Sequence, residues 1–516
     1  MTAKVIRVKS KWLVAIKNDM SVMAKAFDSG GDFRRKSPGV SPDSLTKQGT
    51  TGMANGIAAV ILAAGQGTRM KSELPKVLHP VAGRPMLGHV VQSAKAAGAS
   101  PVVAVVGHGA ERVKEQFEPG SLQFALQAEQ LGTGHALMCA EADLKDFAGD
   151  LLLLCGDVPL LRAETLQALL AHHREQQAAV TILTARLDDP TGYGRIIRGP
   201  SGVERIVEEK DAKAVEKDVR EINTGIYLFR APEVFSLLQQ LDNTNAQGEY
   251  YLTDVVALAR QAGQRVDALA VEDVREATGI NDRRQLAFAS AVMRERINDQ
   301  HMLAGVTLVD PAVTYVDVDV KIGADTLLHP GVHLRGTTRI GRGCVLEPGV
   351  VVTDCHIGDG SHLKAGSVLA ESEVGEECAI GPMAHLRPGT VLAGQNKLGN
   401  FVETKKAQIG LKSQASHLTY IGDATLGKNV NVGCGTITCN YDGVNKHQTT
   451  IEDDVFVGSD TQFVAPVHIG RGSLIGAGST ITKDVPADAL ALSRSEQKIV
   501  KGWAARNREK RVKREE

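Results

Sequence analysis

Long apolar runs and paired cysteines are both missing from this 516-residue sequence. The longest uninterrupted apolar run, residues 57–64, is far shorter than the roughly 20 residues that a membrane-spanning helix needs, so a membrane protein is excluded. The seven cysteines are odd in number and contain no Cys-x-x-Cys pair, which argues against a disulfide framework or a zinc site. Reduced thiols in a cytoplasmic protein are the simplest interpretation.

Positive charge is scarce in the body of the chain. The whole sequence has a net charge of −1, but residues 1–52 hold 10 Lys and Arg against 4 Asp and no Glu. Residues 494–516 hold 9 against 4 Glu, so residues 53–493 carry a net charge of −12. An acidic body argues against nucleic acid as the main partner. Any anionic substrate must then be held by a few locally placed cations.

The chain is too long for a single core, and its composition divides it into unequal parts. Residues 1–52 are expected to be a poorly ordered extension, because they are basic and broken by small-residue clusters. Met53 is then the natural start, although a basic, acid-poor leader is also typical of an organelle transit peptide.

An aliphatic residue returns at every sixth position over much of residues 322–485. This period fits neither a helix nor a simple strand. It suits a coil with regularly spaced corners and one inward aliphatic per side, the hexapeptide signature of a parallel β-helix. The clearest blocks are Ile322, Leu328, Leu334, Ile340, Leu346 and Val352, then Ile451, Val457, Phe463, Ile469, Ile475 and Ile481.

Before the repeats, apolar strands alternate with helices and glycine-containing loops. Such alternation predicts a mostly parallel sheet covered on both faces. A helix is predicted over residues 85–97, and a long amphipathic helix over 283–302 connects to the repeats. Strands are predicted at residues 57–62, 102–106, 122–125, 151–155 and 180–183, with a hairpin formed by 194–198 and 203–208.

Two features at strand ends indicate phosphate chemistry. The loop LAAGQGTRM at residues 62–70 is neither a Walker A loop nor a full dinucleotide fingerprint. Its small residues let backbone N–H groups approach phosphate oxygens, and Arg69 and Lys76 supply cations. The strand at 151–155 delivers Gly156-Asp157 to the edge where open α/β sheets bind ligands, and such a carboxylate can hold Mg²⁺ against phosphates. Taken alone, the loop is equally compatible with a plain turn, and Asp157 with a cap before Pro159.

This loop, together with Pro75-Lys76, resembles the signature of sugar-phosphate nucleotidyltransferases. Further strings narrow the resemblance to the bacterial bifunctional N-acetylglucosamine-1-phosphate uridyltransferase/glucosamine-1-phosphate acetyltransferases, over residues 55–494. These strings are LQAEQLGTGHA at 126–136, DPTGYGR at 189–195, EINTG at 221–225 and QGEYYLTD at 247–254.

The resemblance implies a uridylyl-transfer site in the α/β region, with Mg²⁺ as its cofactor. N-acetylglucosamine 1-phosphate would attack the α-phosphate of UTP and expel pyrophosphate, without a general base. Asp157 and Asn281 would hold the Mg²⁺. The implied nucleotide and sugar positions are Leu62, Ala63, Ala64, Gly65, Arg69, Lys76, Gln127, Gly132, Thr133, Gly156, Asp157, Gly194, Glu208, Asn223 and Asn281. Of these, Gly194, Glu208 and Asn223 would contact the amino sugar, and Gln127 with Gly132-Thr133 would read the uracil edge.

A second polar group lies where the six-residue period is disturbed, between Leu398 and Ile451. Insertions in a solenoid commonly build its binding face, and histidine is suited to deprotonating an ammonium substrate, although a lone histidine is more often structural. By resemblance, His417 is the general base that lets the amine of glucosamine 1-phosphate attack acetyl-CoA. The matching sugar-phosphate positions are Arg387, Lys405, Tyr420 and Asn431, and the acetyl-CoA positions are Cys434, Asn440, Tyr441, Ser459, Ala477 and Arg494.

Position 434 departs from the family pattern, because Cys434 stands where a small Ala is expected. We expect activity to survive in a tighter, thiol-sensitive acyl pocket. The basic tail beyond Arg494 could help to hold the phosphates of coenzyme A, or could be merely a solvated charged segment.

The resemblance predicts an α/β, Rossmann-like nucleotidyltransferase domain at 53–282 and a connector helix at 283–303. A left-handed parallel β-helix acetyltransferase domain follows at 304–493, and the basic tail at 494–516. The partners are small molecules and other copies of the chain, as a homotrimer, with no nucleic acid or membrane. The product, UDP-N-acetylglucosamine, would feed cell-wall precursor synthesis.

Two alternatives to this bifunctional enzyme remain open. One is a sugar-1-phosphate nucleotidyltransferase whose β-helix serves only for oligomerisation, against which His417 and Asn440-Tyr441 count. The other is a regulatory subunit without chemistry, against which Arg69, Lys76 and Asp157 count as well.

Overall fold

The computed structural model describes residues 56–200 and 202–515, with side chains as far as residue 511. The extension expected at residues 1–52 lies outside the described residues. Within the described part, no helix combines the length and the apolar character that crossing a bilayer requires.

A nine-stranded sheet lies at the centre of the α/β part. Alternate residues of its strand Gly56–Ala63 enter opposite cores: Ala59 and Ile61 pack on one face, and Ala58 and Val60 on the other. The main strands lie in the order Val266–Ala270, Val180–Arg186, Glu221–Ala231, Gly149–Cys155, Gly56–Ala63, Val102–Val106 and Gln123–Leu126.

The mostly parallel sheet and the hairpin predicted from the sequence are confirmed. The exception to parallel pairing along this order is Glu221–Ala231, which runs antiparallel to both of its neighbours. The hairpin strands Arg195–Gly199 and Gly202–Val207 attach to it through the pairing of Arg195 with Ile222. Hydrophobic alternation does not predict Glu221–Ala231, because its first residues are polar and reach into a candidate site.

Helices flank the sheet and lead into the repeats. The predicted helix over 85–97 is confirmed as Met86–Ala96, which begins after Pro85 because that residue is extended. A two-stranded ribbon, Pro80–Val81 with Arg84–Pro85, precedes it. The other α-helices are Ala110–Lys114, Thr133–Met138, Ala163–Glu175, Ala214–Lys217, Glu233–Leu238, Asp254–Gln261, Arg283–Leu303 and Trp503–Glu515, and the 3₁₀ turns are Thr68–Met70, Lys76–Leu78, Ala142–Leu144, Val274–Ala277 and Pro311–Val313.

The connector helix Arg283–Leu303 begins with a capping box. The Asp282 carboxylate accepts hydrogen bonds from two backbone N–H groups of the first turn, and the Gln285 side chain accepts one from the backbone of Asp282. Its buried side packs into a core shared with the first coils of the β-helix and with Val81 and Met86. The helix therefore ties the α/β part to the repeats.

The repeats form the parallel β-helix that the six-residue period predicts. Of the twelve aliphatic and aromatic residues in the two blocks, Ile322 is half-buried and the rest are buried. The first face holds Thr307–Leu308, Leu327–Leu328, Val345–Leu346, His362–Leu363, Ala379–Ile380, Asn431–Val432, Phe456–Val457, Leu474–Ile475 and Leu490–Ala491. The second face holds Tyr315–Val316, His333–Arg335, Val351–Thr353, Val368–Ala370, His385–Leu386, Ile437–Cys439, Gln462–Val464 and Thr480–Ile481. The third face holds Lys321–Ile322, Arg339–Ile340, His356–Ile357, Glu373–Val374, Val391–Leu392, Thr449–Ile451 and Val467–Ile469.

Two longer strands, Lys397–Ile409 and Gln414–Leu426, follow all three faces and pair with each other at a regular 17-residue spacing. The spacing rises to 25 residues where Leu426 pairs with Ile451. The disturbance expected over residues 399–450 is therefore narrower than predicted: its extra residues form one inserted loop at residues 440–448.

Candidate active sites

A cavity of about 320 Å³ opens at the carboxyl end of the central strand Gly56–Ala63. This is the edge at which open α/β sheets bind ligands. It brings together most of the predicted nucleotide positions, and the Gly156 backbone N–H bonds to the Leu62 carbonyl just beneath it. The predicted positions that line the cavity are Leu62, Ala63, Ala64, Gly65, Lys76, Gln127, Gly132, Thr133 and Asp157.

The wall formed by Gln127 and Gly132 is held rigidly. The Gln127 side chain is buried, and its amide donates a hydrogen bond to the Gly132 carbonyl at 3.1 Å. Gly132 has a φ of 109°, and a Cβ there would collide with the Tyr250 backbone. A glycine is therefore required where this segment passes close to its neighbour.

Cationic and oxygen groups meet at one end of the cavity. The Lys76 ammonium donates to Asp157 Oδ2 at 2.5 Å and to Asn281 Oδ1 at 3.1 Å. Arg69 also donates to Asn281 Oδ1, at 2.9 Å. The structure thus joins four predicted residues that are up to 212 positions apart in sequence. Burial and the nearby Asp157 charge raise the pKa of the Cys155 thiol to about 12, which keeps it protonated.

The three predicted sugar positions form a neighbouring cluster. The Asn223 backbone N–H donates to the Gly194 carbonyl at 2.9 Å, and Gly194 faces the Glu208 carboxylate. Burial raises the pKa of Glu208, and a hydrogen bond from Thr253 partly offsets this effect. Cys155, which lines the cavity, contacts the carbonyl of Gly225 at 3.5 Å. The sugar cluster therefore borders the nucleotide cavity without lining it.

Gln130 is a cavity residue that the sequence interpretation did not assign. Its side-chain amide donates to the Ala64 carbonyl at 2.7 Å, and so holds the glycine-containing loop from the opposite wall. The string at 126–136 contains Gln130, but motif spacing does not show that its side chain contacts Ala64, which lies 66 positions earlier in the sequence.

Gln130→Ala is expected to raise the KM for UTP roughly five- to tenfold with a smaller change in kcat, since one hydrogen bond of about 1–1.5 kcal/mol that shapes the loop is lost. Initial rates of pyrophosphate release against UTP concentration measure this. Gln116→Ala, at an exposed position of the same part, serves as the control. An unchanged KM for UTP would show that the loop keeps its shape without Gln130.

A single corner of the β-helix collects the predicted base and three acetyl-CoA positions. Ala415, Val432, Val457 and Ile475 pair in register on successive coils. The residues two positions after them are therefore stacked on the same corner, and they are His417, Cys434, Ser459 and Ala477. Arg494 donates to the Ala477 carbonyl at 2.8 Å. This stacking at one corner places Cys434 directly beside His417.

His417 has a defined orientation. Its Nδ1 lies 3.0 Å from Asn400 Oδ1, on the preceding coil. A proton on Nδ1 would be donated to this amide oxygen and would leave Nε2 with a lone pair. This is the tautomer that a general base requires.

The predicted phosphate-binding residues lie at the other end of the second face. Lys405 is paired in register with Gly422, and Arg387 holds the same position one coil earlier, where it forms an ion pair with Glu403 at 2.8 Å. The Tyr420 ring covers Gly422, where a Cβ would collide with it. Arg387, Lys405 and Tyr420 are therefore brought together. His417 lies on the same strand as Gly422, five residues before it and so at most about 16 Å away from it.

The inserted loop adds a cation that the sequence interpretation missed. Lys446 contacts Lys405, and this contact, followed by desolvation and then by the charge of Arg387, lowers the pKa of the Lys405 ammonium. Two adjacent ammonium groups repel each other and favour an anion between them. Asn440 anchors the start of the loop by donating to Asp423, and Tyr441 donates to the Gly443 carbonyl at 2.6 Å.

The predicted Asn431 lies apart from this cluster, on the first face. Its side-chain oxygen accepts a hydrogen bond from Gln414 at 3.0 Å. The described structure of one chain therefore does not join Asn431 to Arg387 and Lys405.

For the sugar-phosphate site that the resemblance implies at Arg387 and Lys405, Lys446→Ala is expected to raise the KM for glucosamine 1-phosphate about tenfold, because a cation beside the substrate phosphate is worth roughly 1–2 kcal/mol. The KM for acetyl-CoA should change less. Release of free thiol at varied sugar phosphate measures both constants, with Lys412→Ala at an exposed turn as the control. A rise confined to the acetyl-CoA KM would place Lys446 beside coenzyme A instead.

Comparison with known proteins agrees with this division into two sites. Residues 59–222 match the family model of the MobA-like NTP transferase domain, and residues 319–354 and 448–483 match the bacterial transferase hexapeptide model. A bifunctional protein GlmU of Syntrophotalea carbinolica is 65% identical over 451 residues, which cover 87% of this chain and 97% of that relative. The chain belongs to the GlmU family.

Another GlmU-family relative, the bifunctional protein GlmU of Pelobacter propionicus, is 58% identical over 456 residues, 88% of this chain and 99% of its own. A solved structure of UDP-glucose pyrophosphorylase complexed with UDP-glucose matches 47% of this chain and 99% of its own, at a TM-score of 0.40 and 17% identity, a likeness too weak to add to the assignment. In this GlmU-family chain, the residues that line the cavity lie in the NTP transferase match except for Glu249, and Ser459 and Ala477 lie in a hexapeptide match.

Proposed function

We propose that this chain is a bifunctional enzyme that makes UDP-N-acetylglucosamine. Its β-helix transfers the acetyl group of acetyl-CoA to glucosamine 1-phosphate, and its α/β part then transfers uridylyl from UTP to the acetylated product. The observation that carries this proposal is the presence of two separate sets of side chains: Lys76 with Asp157 at the nucleotide cavity, and His417 with Lys405 on the β-helix.

In uridylyl transfer, the chain's own residues position the reactants and neutralise charge. The small residues at 62–65 let backbone N–H groups approach the phosphates of UTP, and Gln127 with Gly132 borders the base. Glu208 and Asn223 hold the sugar so that a phosphate oxygen attacks the α-phosphorus and pyrophosphate leaves. Lys76 and Arg69 offset the negative charge of the transition state. No side chain takes a proton in this step.

Asp157 and Asn281 suit a Mg²⁺ ion. Both offer oxygen donors, and the ammonium that they share in this structure marks a position where a cation is stabilised. Among residues 56–200 and 202–515, no group of three His, Cys, Asp or Glu side chains is arranged for a metal. A Mg²⁺ ion held by Asp157 and Asn281 would need no such group, and it would neutralise phosphate charge.

In acetyl transfer, His417 Nε2 takes a proton from the amine of glucosamine 1-phosphate, and the amine nitrogen attacks the thioester carbonyl. The carbon–sulfur bond breaks, and coenzyme A leaves as its thiolate, which takes up the second proton that the nitrogen loses as it becomes an amide. Arg387, Lys405 and Lys446 hold the phosphate of the sugar, while the corner at Cys434, Ser459 and Ala477 carries acetyl-CoA, with Arg494 at its end.

The full conversion tests this proposal. The purified chain, supplied with glucosamine 1-phosphate, acetyl-CoA, UTP and MgCl₂, should release free thiol and pyrophosphate and form UDP-N-acetylglucosamine. Pyrophosphate release from N-acetylglucosamine 1-phosphate without thiol release from glucosamine 1-phosphate would favour a nucleotidyltransferase with an inert β-helix. Neither product would favour the regulatory subunit.

We also propose that the chain works as a homotrimer. Met383, Phe401 and Leu418 expose 53%, 58% and 58% of their surface on successive coils, and all three adopt positive φ at one corner. Large apolar residues in that strained conformation support a surface covered by another copy. The separation of His417 from Lys405 supports the same conclusion, since a second copy can complete each site.

Sedimentation equilibrium should give three times the chain mass, and Phe401→Asp should shift the protein towards monomer because a charge is then buried in the contact. Acetyl transfer should fall with the trimer, while uridylyl transfer persists. Val215→Asp, at an exposed position of the α/β part, should leave the trimer intact. A trimeric Phe401→Asp protein would place the contact elsewhere on the β-helix.

The domain boundaries expected from the sequence, 53–282, 283–303, 304–493 and 494–516, complete this proposal. A cytoplasmic location is supported by the cysteines, all seven of which are free thiols in the described residues.

A further inference from the structure

The ammonium of Lys76 and the Mg²⁺ of the proposed uridylyl-transfer site need the same two oxygen atoms. Lys76 Nζ lies 2.5 Å from Asp157 Oδ2 and 3.1 Å from Asn281 Oδ1. The ion pair is sheltered, since the side chains of Lys76 and Asp157 are only 13% and 20% exposed. A divalent cation bound by these oxygens and an ammonium within hydrogen-bond distance of both would repel each other strongly.

The aliphatic part of the Lys76 side chain is fixed by packing, and its ammonium group borders an open cavity. Its Cβ packs on Gly67, where an added Cβ would lie only 2.6 Å away, so the backbone turn Lys76–Leu78 and the glycine-containing loop are in contact. The same side chain lines the nucleotide cavity, together with Ala64 and Gly65. A displaced ammonium therefore swings into the space that the phosphates of UTP would occupy.

We propose that Lys76 is a resident counter-ion of Asp157 and Asn281 that the metal replaces, so that metal binding delivers the lysine to the phosphates of the nucleotide. This inference rests on the proposed uridylyl transfer. The exchange makes metal and nucleotide binding mutually reinforcing. The phosphates of the nucleotide stabilise the displaced Lys76 ammonium, and the metal neutralises Asp157 after the ammonium has left. The exchange also means that Lys76 opposes metal binding when no nucleotide is bound.

Binding of Mn²⁺, used as a paramagnetic substitute for Mg²⁺, tests this competition without any reaction. Free Mn²⁺ is measured by electron paramagnetic resonance during titration of the full chain, with no nucleotide present. Lys76→Met keeps the length and packing of the stem but removes the charge, and should tighten Mn²⁺ binding at least tenfold. Lys71→Ala, an exposed lysine on the same loop, should leave the affinity unchanged.

Two further measurements keep the interpretation specific. The double variant Lys76→Met, Asp157→Ala should lose the gained affinity, which assigns the metal to Asp157. In the unmodified chain Mn²⁺ should tighten UTP binding, and this coupling should shrink several-fold in Lys76→Met. Unchanged or weaker Mn²⁺ binding by Lys76→Met would overturn the competition.

The proposal can fail separately from the proposed function. Loss of pyrophosphate release in Lys76→Met with unchanged Mn²⁺ affinity would leave uridylyl transfer standing and refute the exchange. Absence of pyrophosphate release from the unmodified chain would refute the function itself. Acetyl transfer by each variant verifies that the β-helix is folded, and thermal unfolding of each variant verifies the α/β part.

Discussion

His417→Ala is expected to lower acetyl transfer by about 10²- to 10⁴-fold, the range that a positioned general base contributes. The amine of glucosamine 1-phosphate is an ammonium ion near neutral pH and cannot attack a thioester until it loses a proton. Uridylyl transfer should persist, because His417 lies on the β-helix and the nucleotide cavity is built entirely from residues of the α/β part. Thiol release and pyrophosphate release from the same preparation measure the two activities.

A matched histidine separates this chemical role from a structural one. His356 is exposed on the third face of the same β-helix, and His356→Ala should retain both activities. Asn400→Ala should lower acetyl transfer less than His417→Ala does, because it removes only the partner that orients the ring. Acetyl transfer by His417→Ala within tenfold of the unmodified chain would exclude His417 as the base.

The repeat architecture could be predicted from the sequence because every coil needs apolar residues at the same inward positions. An inward position must be apolar on every side, so Leu334 and Ile469 report the fold independently of each other. Register follows from the same spacing within each regular block. The stacking of His417, Cys434, Ser459 and Ala477 spans steps of 17, 25 and 18 residues, so only the structure shows it. Local periodicity suffices wherever contacts repeat at a fixed separation.

Contacts without such a period were not predictable from residue patterns. Lys76, Asp157 and Asn281 meet because the strand Gly149–Cys155 pairs with Gly56–Ala63 and the Ile280 N–H donates to the Asp157 carbonyl. Family resemblance rather than spacing had to group them. The pairing of Gln130 with Ala64 and of Lys446 with Lys405 has no local signal at all. The antiparallel strand Glu221–Ala231 was missed for a related reason, since polar residues at its start obscure its alternation.

Asp157→Ala is expected to lower uridylyl transfer by about 10²- to 10³-fold, equivalent to roughly 3–4 kcal/mol of transition-state stabilisation. The substitution removes the one carboxylate among the proposed metal ligands, and it leaves Lys76 without its partner at 2.5 Å. Acetyl transfer should stay within about twofold, because it uses other residues and other substrates. Rates at varied MgCl₂ should show a weaker metal dependence in the variant.

Two further variants decide why activity is lost. Asp157→Asn keeps the oxygen donor but not the charge, so an intermediate rate that recovers at high MgCl₂ would assign the loss to metal affinity. Asp188→Ala removes a carboxylate that is fully exposed and should change neither activity. Loss of both activities in a folded Asp157→Ala protein would contradict two independent sites. The α/β part and the β-helix share a core through the connector helix, so this outcome would mean that the nucleotide edge controls the distant coils through that helix.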